Sequence, residues 1–418
     1  MPAPALSRTL VAEGAPRGGL AALCITQTTG WGVLYYALIA AVRPISQDTG
    51  WDPAQVTGAF SAGLLVSAAA GIAVGRILDR TGPRMLMIGG SLLGMLALVV
   101  AAMAPNLAVF IAAWLLAGTA QAAVLYQPAF TVISRWYGPA RVRPLTILTL
   151  VAGFASTIFA PATAALTSAF GWRGAFIILA GIMGLIAVPL HARYLNRNWA
   201  PAAPGTLATV HRAMPRIVRR SPEFLGLQAL MVLLCLGLYT VTLNIMPLLA
   251  EKGADYATAA LGLGLVGAGQ VGGRLLFAAI PAGARLQVIT GTAACAAFLL
   301  AALPGPVPAL IAAGMLAGAV RGCQTLLQAT IVADRWGTQN LGTLQGLFAA
   351  PLTAVTAVAR PRVRCWRPGS APTRAWPTPW PLQRPRPPFS PPPEAFGSSG
   401  PPRSAERSSA PAADLRGT

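Results

Sequence analysis

The stretch Gly75-Arg76-Ile77-Leu78-Asp79-Arg80-Thr81-Gly82-Pro83-Arg84 separates two apolar blocks, residues 55–78 and 85–103. It gathers three arginines and one aspartate around Gly82-Pro83, a pair suited to a tight turn. Each flanking block has about the twenty residues that a helix needs to cross the hydrocarbon core of a bilayer. Two such blocks joined by a short charged turn read as antiparallel membrane helices.

The same ruler, moved outward, places further spans at 19–41, 107–133, 145–169 and 174–194. A polar stretch follows at 195–223, and then spans at 224–250, 257–280, 286–303, 307–333 and 341–359. The expected organisation is an N-terminal segment (1–18), a six-helix bundle (19–194), a central loop (195–223), a five-helix second bundle (224–359) and a tail (360–418). Composition agrees. Of 418 residues, 55% are hydrophobic and only 10% charged, whereas soluble domains carry about a quarter charged residues. Ala, Leu, Val and Gly fill the blocks without period-2 alternation, so the chain reads as an all-α membrane protein and not as a barrel.

The net charge of +20 does not point to nucleic acid, because the arginines are spread over short loops and a tail. Alternate loops hold Arg80 and Arg84, then Arg135, Arg141 and Arg143, then Arg197, Arg212, Arg216, Arg219 and Arg220, then Arg285, then Arg335. The intervening loops hold Arg43, Arg173 and Lys252, diluted by Asp48, Asp52, Glu251 and Asp255. The Arg-rich set is expected on the cytoplasmic side, together with the N-terminus and the central loop. The five cysteines form no CxxC pair, and His191 and His211 stand apart, so no metal and no cofactor is expected. Gly262-x-Gly264-x-x-Gly267 matches a dinucleotide fingerprint, but it lies inside an apolar block with no strand before it, and reads as helix packing.

The two halves echo each other. Ala117-Gly118 corresponds to Ala317-Gly318, and Ala129, Val132, Arg135 and Trp136 correspond at the same spacing to Ala329, Val332, Arg335 and Trp336. A second echo links Gly75-Arg76 and Leu78 to Gly273-Arg274 and Leu276. Parallel repeats of six spans are a transporter architecture, with substrate held between the repeats near the midplane.

The opening decapeptide resembles the signature loop G-x-L-x-D-R-x-G-R-R of the major facilitator superfamily. Trp31-Gly32, Tyr35-Tyr36, Gly50-Trp51 and Gly171-Trp172-Arg173 resemble the branch that holds monocarboxylate transporters and related bacterial carriers. The resemblance covers about residues 19–359. It implies two pseudo-symmetric bundles of six helices, of which eleven are present here and the twelfth is missing. It also implies alternating access, with spans one, four, seven and ten lining the cavity. Gly75, Asp79, Arg80, Gly82 and Arg84 then form a conformational latch, with Asp79 held by a helix N-terminus or an arginine. The departures are specific. Trp114 stands where a superfamily motif has Arg four residues before Gly118. The fifth span has Gly153 and Pro161 but lacks the G-P-x-x-G-G run of drug antiporters. Gln270 stands four residues before Arg274, where monocarboxylate carriers have Asp.

Ionisable groups inside a bilayer are costly and mark function. Arg321 lies midway along the tenth span, with Gln324 and Gln328 on nearby faces and Gln121 as its repeat-mate in span four. The expected substrate contacts are Arg321, Gln121, Gln324, Tyr126, Gln127, Tyr35, Tyr36, Asn244, Gln270 and Arg274. For Arg274 two placements stay open, an anion contact or a second cytoplasmic latch. The function expected is secondary transport of a small organic solute, an organic anion in the first instance, by a monomer in a prokaryotic inner membrane. Its coupling proton or ion is left unnamed. An efflux permease for drugs or metabolites, and a transport-inactive receptor or truncated product, stay open as alternatives. An enzyme would need clustered His, Asp or Glu within the spans, and none appears.

From residue 360 the composition changes to 10 Arg and 15 Pro in 59 residues. Such a segment cannot build a core. Two origins fit it, a frameshift near 359–361 or a genuine Pro/Arg-rich extension.

Overall fold

Backbone amides inside hydrocarbon must find partners within the chain, and here they do so in helices. The structure, a computed structural model, describes residues 15–195, 199, 214–303 and 305–362. The helix α1 (Gly19–Trp31) passes through a π-helical turn (Gly32–Tyr36) into α2 (Ala37–Thr49). Then follow α3 (Pro53–Thr81), α4 (Pro83–Ala102), α5 (Leu107–Val124), α6 (Tyr126–Tyr137), α7 (Val142–Gly153) and α8 (Ala155–Tyr194). The second half holds α9 (Pro222–Glu251), α10 (Tyr256–Leu276), α11 (Arg285–Ala302), α12 (Val307–Trp336) and α13 (Leu341–Arg362). No strand occurs among the described residues.

These elements make the eleven expected crossings. Span four is α5 with α6, broken at Leu125, whose ψ of −158° leaves the helical range. Spans five and six run into each other within α8 and part at Gly171, where φ is 70° and ψ 167°. Helices start a residue or two ahead of the apolar blocks because polar caps set them. Asp52 accepts from Ala54 N and shares a capping box with Gln55, and Ser221 caps α9 at Phe224 N. Asp255 accepts from Thr258 N ahead of α10, and hydrogen bonding from Thr258 holds its carboxyl below the usual range. The expectations for residues 1–14, for most of the central loop and for 363–418 lie outside the described residues. Of the amphipathic stretch near 212–220, residues 214–218 are helical, with Ile217 exposed and Val218 buried.

The internal repeat is visible in packing. A side-chain carbon on Gly118 would lie 2.0 Å from Gly63 O, and one on Gly318 would lie 2.1 Å from Val266 O. Spans two and four, and spans eight and ten, therefore cross backbone to backbone at repeat-related glycines. The Arg-Trp pairs also match. Trp136 packs near Gly19 at the start of span one, and Trp336 meets Phe224 at the start of span seven, with ring centroids 5.3 Å apart. The second echo does not carry over. Gly75 abuts Gly342 in the other half, whereas Gly273 abuts Ala319 in its own half.

A helix break and an internal proline each free a carbonyl that a glutamine takes up. Val124 O lies at the break before α6, and Gln27 Nε2 donates to it at 2.5 Å. Pro351 likewise frees Leu347 O, which accepts from Gln228 Nε2 at 2.8 Å. Each pair staples one helix to another.

Two outcomes test this packing. Gly118→Ala should destabilise the protein by about 1–3 kcal/mol, whereas Gly237→Ala, which meets nothing within 4 Å, should not lower the midpoint of thermal unfolding in detergent. Gln27→Leu should cost about 1–2 kcal/mol in the same assay.

Candidate functional site

A cavity of about 950 Å³ lies between the two halves. Spans one, two, four and five line it from the first half, and spans seven, eight, ten and eleven from the second. Its walls differ. The first half presents Trp31, Tyr35, Tyr36, Tyr126 and Phe130. Trp31 sits 5.0 Å from Tyr35 and 4.8 Å from Tyr126, and Tyr126 stacks on Phe130 at 4.8 Å. The π turn aims Tyr35 and Tyr36 into this wall, and such turns recur at functional sites. The second half presents Thr242, Gln270, Arg274, Arg321, Gln324 and Gln328. Among the described residues no Asp, Glu, Lys or His lines the cavity.

Arg321 donates to Thr242 Oγ1 at 2.8 Å and lies 4.3 Å above the Tyr239 ring. Arg274 lines the cavity too, and donates across the halves to Thr149 O on α7 at 2.9 Å. Of its two expected placements the cavity is the one observed. The glutamines divide. Gln121 is buried and gives its amide to Leu34 O at 2.8 Å, and Gln127 gives its own to Gly71 O at 2.8 Å. Both touch the cavity while acting as staples. Gln324 sits beside Cys235, and Gln270 is on the wall one turn before Arg274. Asn244 is a correction. It does not line the cavity, and its amide returns to Thr240 O one turn back in its own helix. Spacing along α9 did not reveal which face turns inward. Sequence reading missed Ser67, Thr157 and Gln345, which also line the cavity. They are small or neutral, and nothing marks them in a sequence.

The latch residues come together at one end of the bundle. The Asp79 carboxylate accepts from Gly342 N at 3.0 Å, from Thr343 N at 2.7 Å and from Thr343 Oγ1 at 2.8 Å. These N–H groups belong to the first turn of α13, which has no helical acceptor for them. One half thus caps a helix of the other, and the charge faces the positive end of the helix dipole. Gly75 permits this approach, since a side-chain carbon there would lie 2.0 Å from Gly342 O. Gly82 takes φ 81° in the turn. The indole of Trp199 donates to Asp79 O at 3.3 Å, and Arg135 lies 4.0 Å over its ring. Arg80 and Arg84 are exposed, and the hydrogen bonds that hold Asp79 come from the N-terminus of α13 and not from them. A second tie at this end joins Arg141 of the first half to Asp334 of the second, with Arg285 at 4.0 Å from the same carboxylate. A buried apolar cluster runs across both halves here, from Leu78 and Leu148 to Leu341, Leu344 and Phe348.

The Gly262/Gly264/Gly267 pattern lies on α10, where Gly262 packs against Leu249. Among the described residues no group of His, Cys, Asp and Glu could hold a metal.

Known proteins bear on this architecture. Monocarboxylate transporter 11 of Mus musculus is 33% identical over 162 residues, 38% of this chain and 34% of the relative. Its Homo sapiens counterpart is 28% identical over 234 residues, 55% of this chain and 47% of the relative. The matched regions thus span less than half the length of either relative. Among solved structures, the transporter FucP in an outward conformation superposes with a TM-score of 0.63 at 16% identity, covering 82% of this chain and 89% of that one. A variant of the E. coli fucose:proton symporter FucP superposes with a TM-score of 0.59 at 13% identity, covering 82% and 96%. The family model described as Major Facilitator Superfamily matches residues 21–359. With that match over most of its length, and two glycine-crossed halves around a cavity, this multi-pass membrane protein belongs to the major facilitator superfamily.

Proposed function

We propose that the chain moves a small organic anion across a prokaryotic cytoplasmic membrane by alternating access, with its N-terminus and the latch end on the cytoplasmic side. One observation carries the reading. Among the described residues that line it, the cavity between the halves holds Arg274 and Arg321 and no acidic side chain. Cations held among apolar helices without a counter-ion are costly, and an anion that enters relieves that cost. The guanidinium fork suits a carboxylate, and the aromatic wall opposite suits an organic body. The names of the two curated relatives, monocarboxylate transporters, are in line with this cargo. The excess of arginine at the latch end supports the orientation.

The latch supports the mechanism. Asp79 closes one end by hydrogen bonds to a helix N-terminus, and rocking of the halves breaks them without breaking either bundle. The energy source is the gradient of the substrate itself or of a coupled ion.

Counterflow of labelled carboxylates in proteoliposomes checks the cargo. Arg321→Gln should lower the rate about a hundredfold. An unchanged rate, or transport of neutral sugars in place of carboxylates, would overturn the anion reading. Asp79→Asn should slow turnover about tenfold while substrate still raises the unfolding temperature, and a normal turnover would remove the latch from the transport cycle.

A further inference from the structure

We infer that the cavity takes a dianion with its two charges on separate groups, a short dicarboxylate, in preference to a monoanion. This rests on the reading of the cavity as an anion site and adds a charge count and a geometry to it. Arg274 and Arg321 spring from closely packed backbones. A side-chain carbon on Gly322 would lie 2.1 Å from Gln270 O and 3.1 Å from Arg274 N. The two side chains then diverge. Arg274 reaches toward α7 and Thr149 O, whereas Arg321 reaches toward α9, Thr242 and Tyr239.

Every one of those partners is neutral, so neither charge is cancelled. Among the described residues the ion pairs lie elsewhere, on Asp48, Glu223 and Asp334. The lining therefore carries a formal charge of two, both positive. Both guanidiniums act on the same space, because Tyr36 on the opposite wall lies within electrostatic reach of each. A monocarboxylate would neutralise one guanidinium and leave the other uncompensated. A dicarboxylate satisfies both. Their separate anchoring, on different helices by different partners, favours two spaced carboxylates over one compact dianion.

The test uses the purified full-length chain in lipid nanodiscs and follows its thermal midpoint at constant ionic strength. The probes are propionate, succinate, inorganic phosphate and succinamide. Succinate should act at a concentration lower than propionate by about tenfold or more, with phosphate weaker than succinate and succinamide inert. Gln270→Asp sets a carboxylate one turn before Arg274 and should bring succinate and propionate toward parity. Arg274→Gln should also bring parity while propionate still binds. Equal potency of propionate and succinate in the unaltered protein would overturn the dianion inference and leave the anion reading standing. A preference that survives both Gln270→Asp and Arg274→Gln, or phosphate matching succinate, would overturn it as well. Stabilisation by succinamide alone would instead sink the anion reading itself.

Discussion

Hydrocarbon offers a carbonyl oxygen no water, and that constraint orders this molecule from its helices to its cavity. Continuous helix satisfies most backbone groups. At several interruptions of the helix a side chain answers. Val124 O, freed by the break at Leu125, accepts from Gln27, and Leu347 O, stranded by Pro351, accepts from Gln228. The first-turn N–H groups of α13 are met by Asp79 from the other half. Even Arg274 spends one donor on a backbone carbonyl, Thr149 O. Polar side chains within the spans thus divide into those that repair the backbone and those with donors left over for a guest.

This division also explains how much could be read from the sequence. The spans, their number and the latch decapeptide were legible because hydrocarbon length and turn chemistry act locally. The repeat glycines were legible as a spacing, and their contacts at Gly63 and Val266 gave that spacing its physical cause. Cavity membership was legible for Arg321, Arg274, the three expected tyrosines and the four expected glutamines, and not for Asn244. Gln121 and Asn244 look alike in a sequence, yet one staples span four to span one at the edge of the cavity and the other bonds within its own helix turn. Which way a helix face turns depends on neighbours far along the chain. The break at Leu125 and the π turn at Gly32–Tyr36 also escaped composition.

The repeat-related positions 121 and 321 show how a symmetric scaffold acquires an asymmetric site. Both side chains point toward the first helix of their own half, Gln121 to Leu34 O on span one and Arg321 to Thr242 on span seven. An amide has two N–H donors and no charge, so once it has bonded the carbonyl its main role is complete. A guanidinium has five donors and a permanent charge. One hydrogen bond to a threonine fixes the orientation of Arg321 and leaves the rest of the fork turned to the cavity. The same place in the fold is therefore a staple in one half and an anchor in the other. Packing glycines that stay alike keep the helix crossings of the two halves alike, while this one divergence, joined by Arg274, gives the cavity a charged side and an aromatic side. Whatever lies between those two sides touches both halves at once.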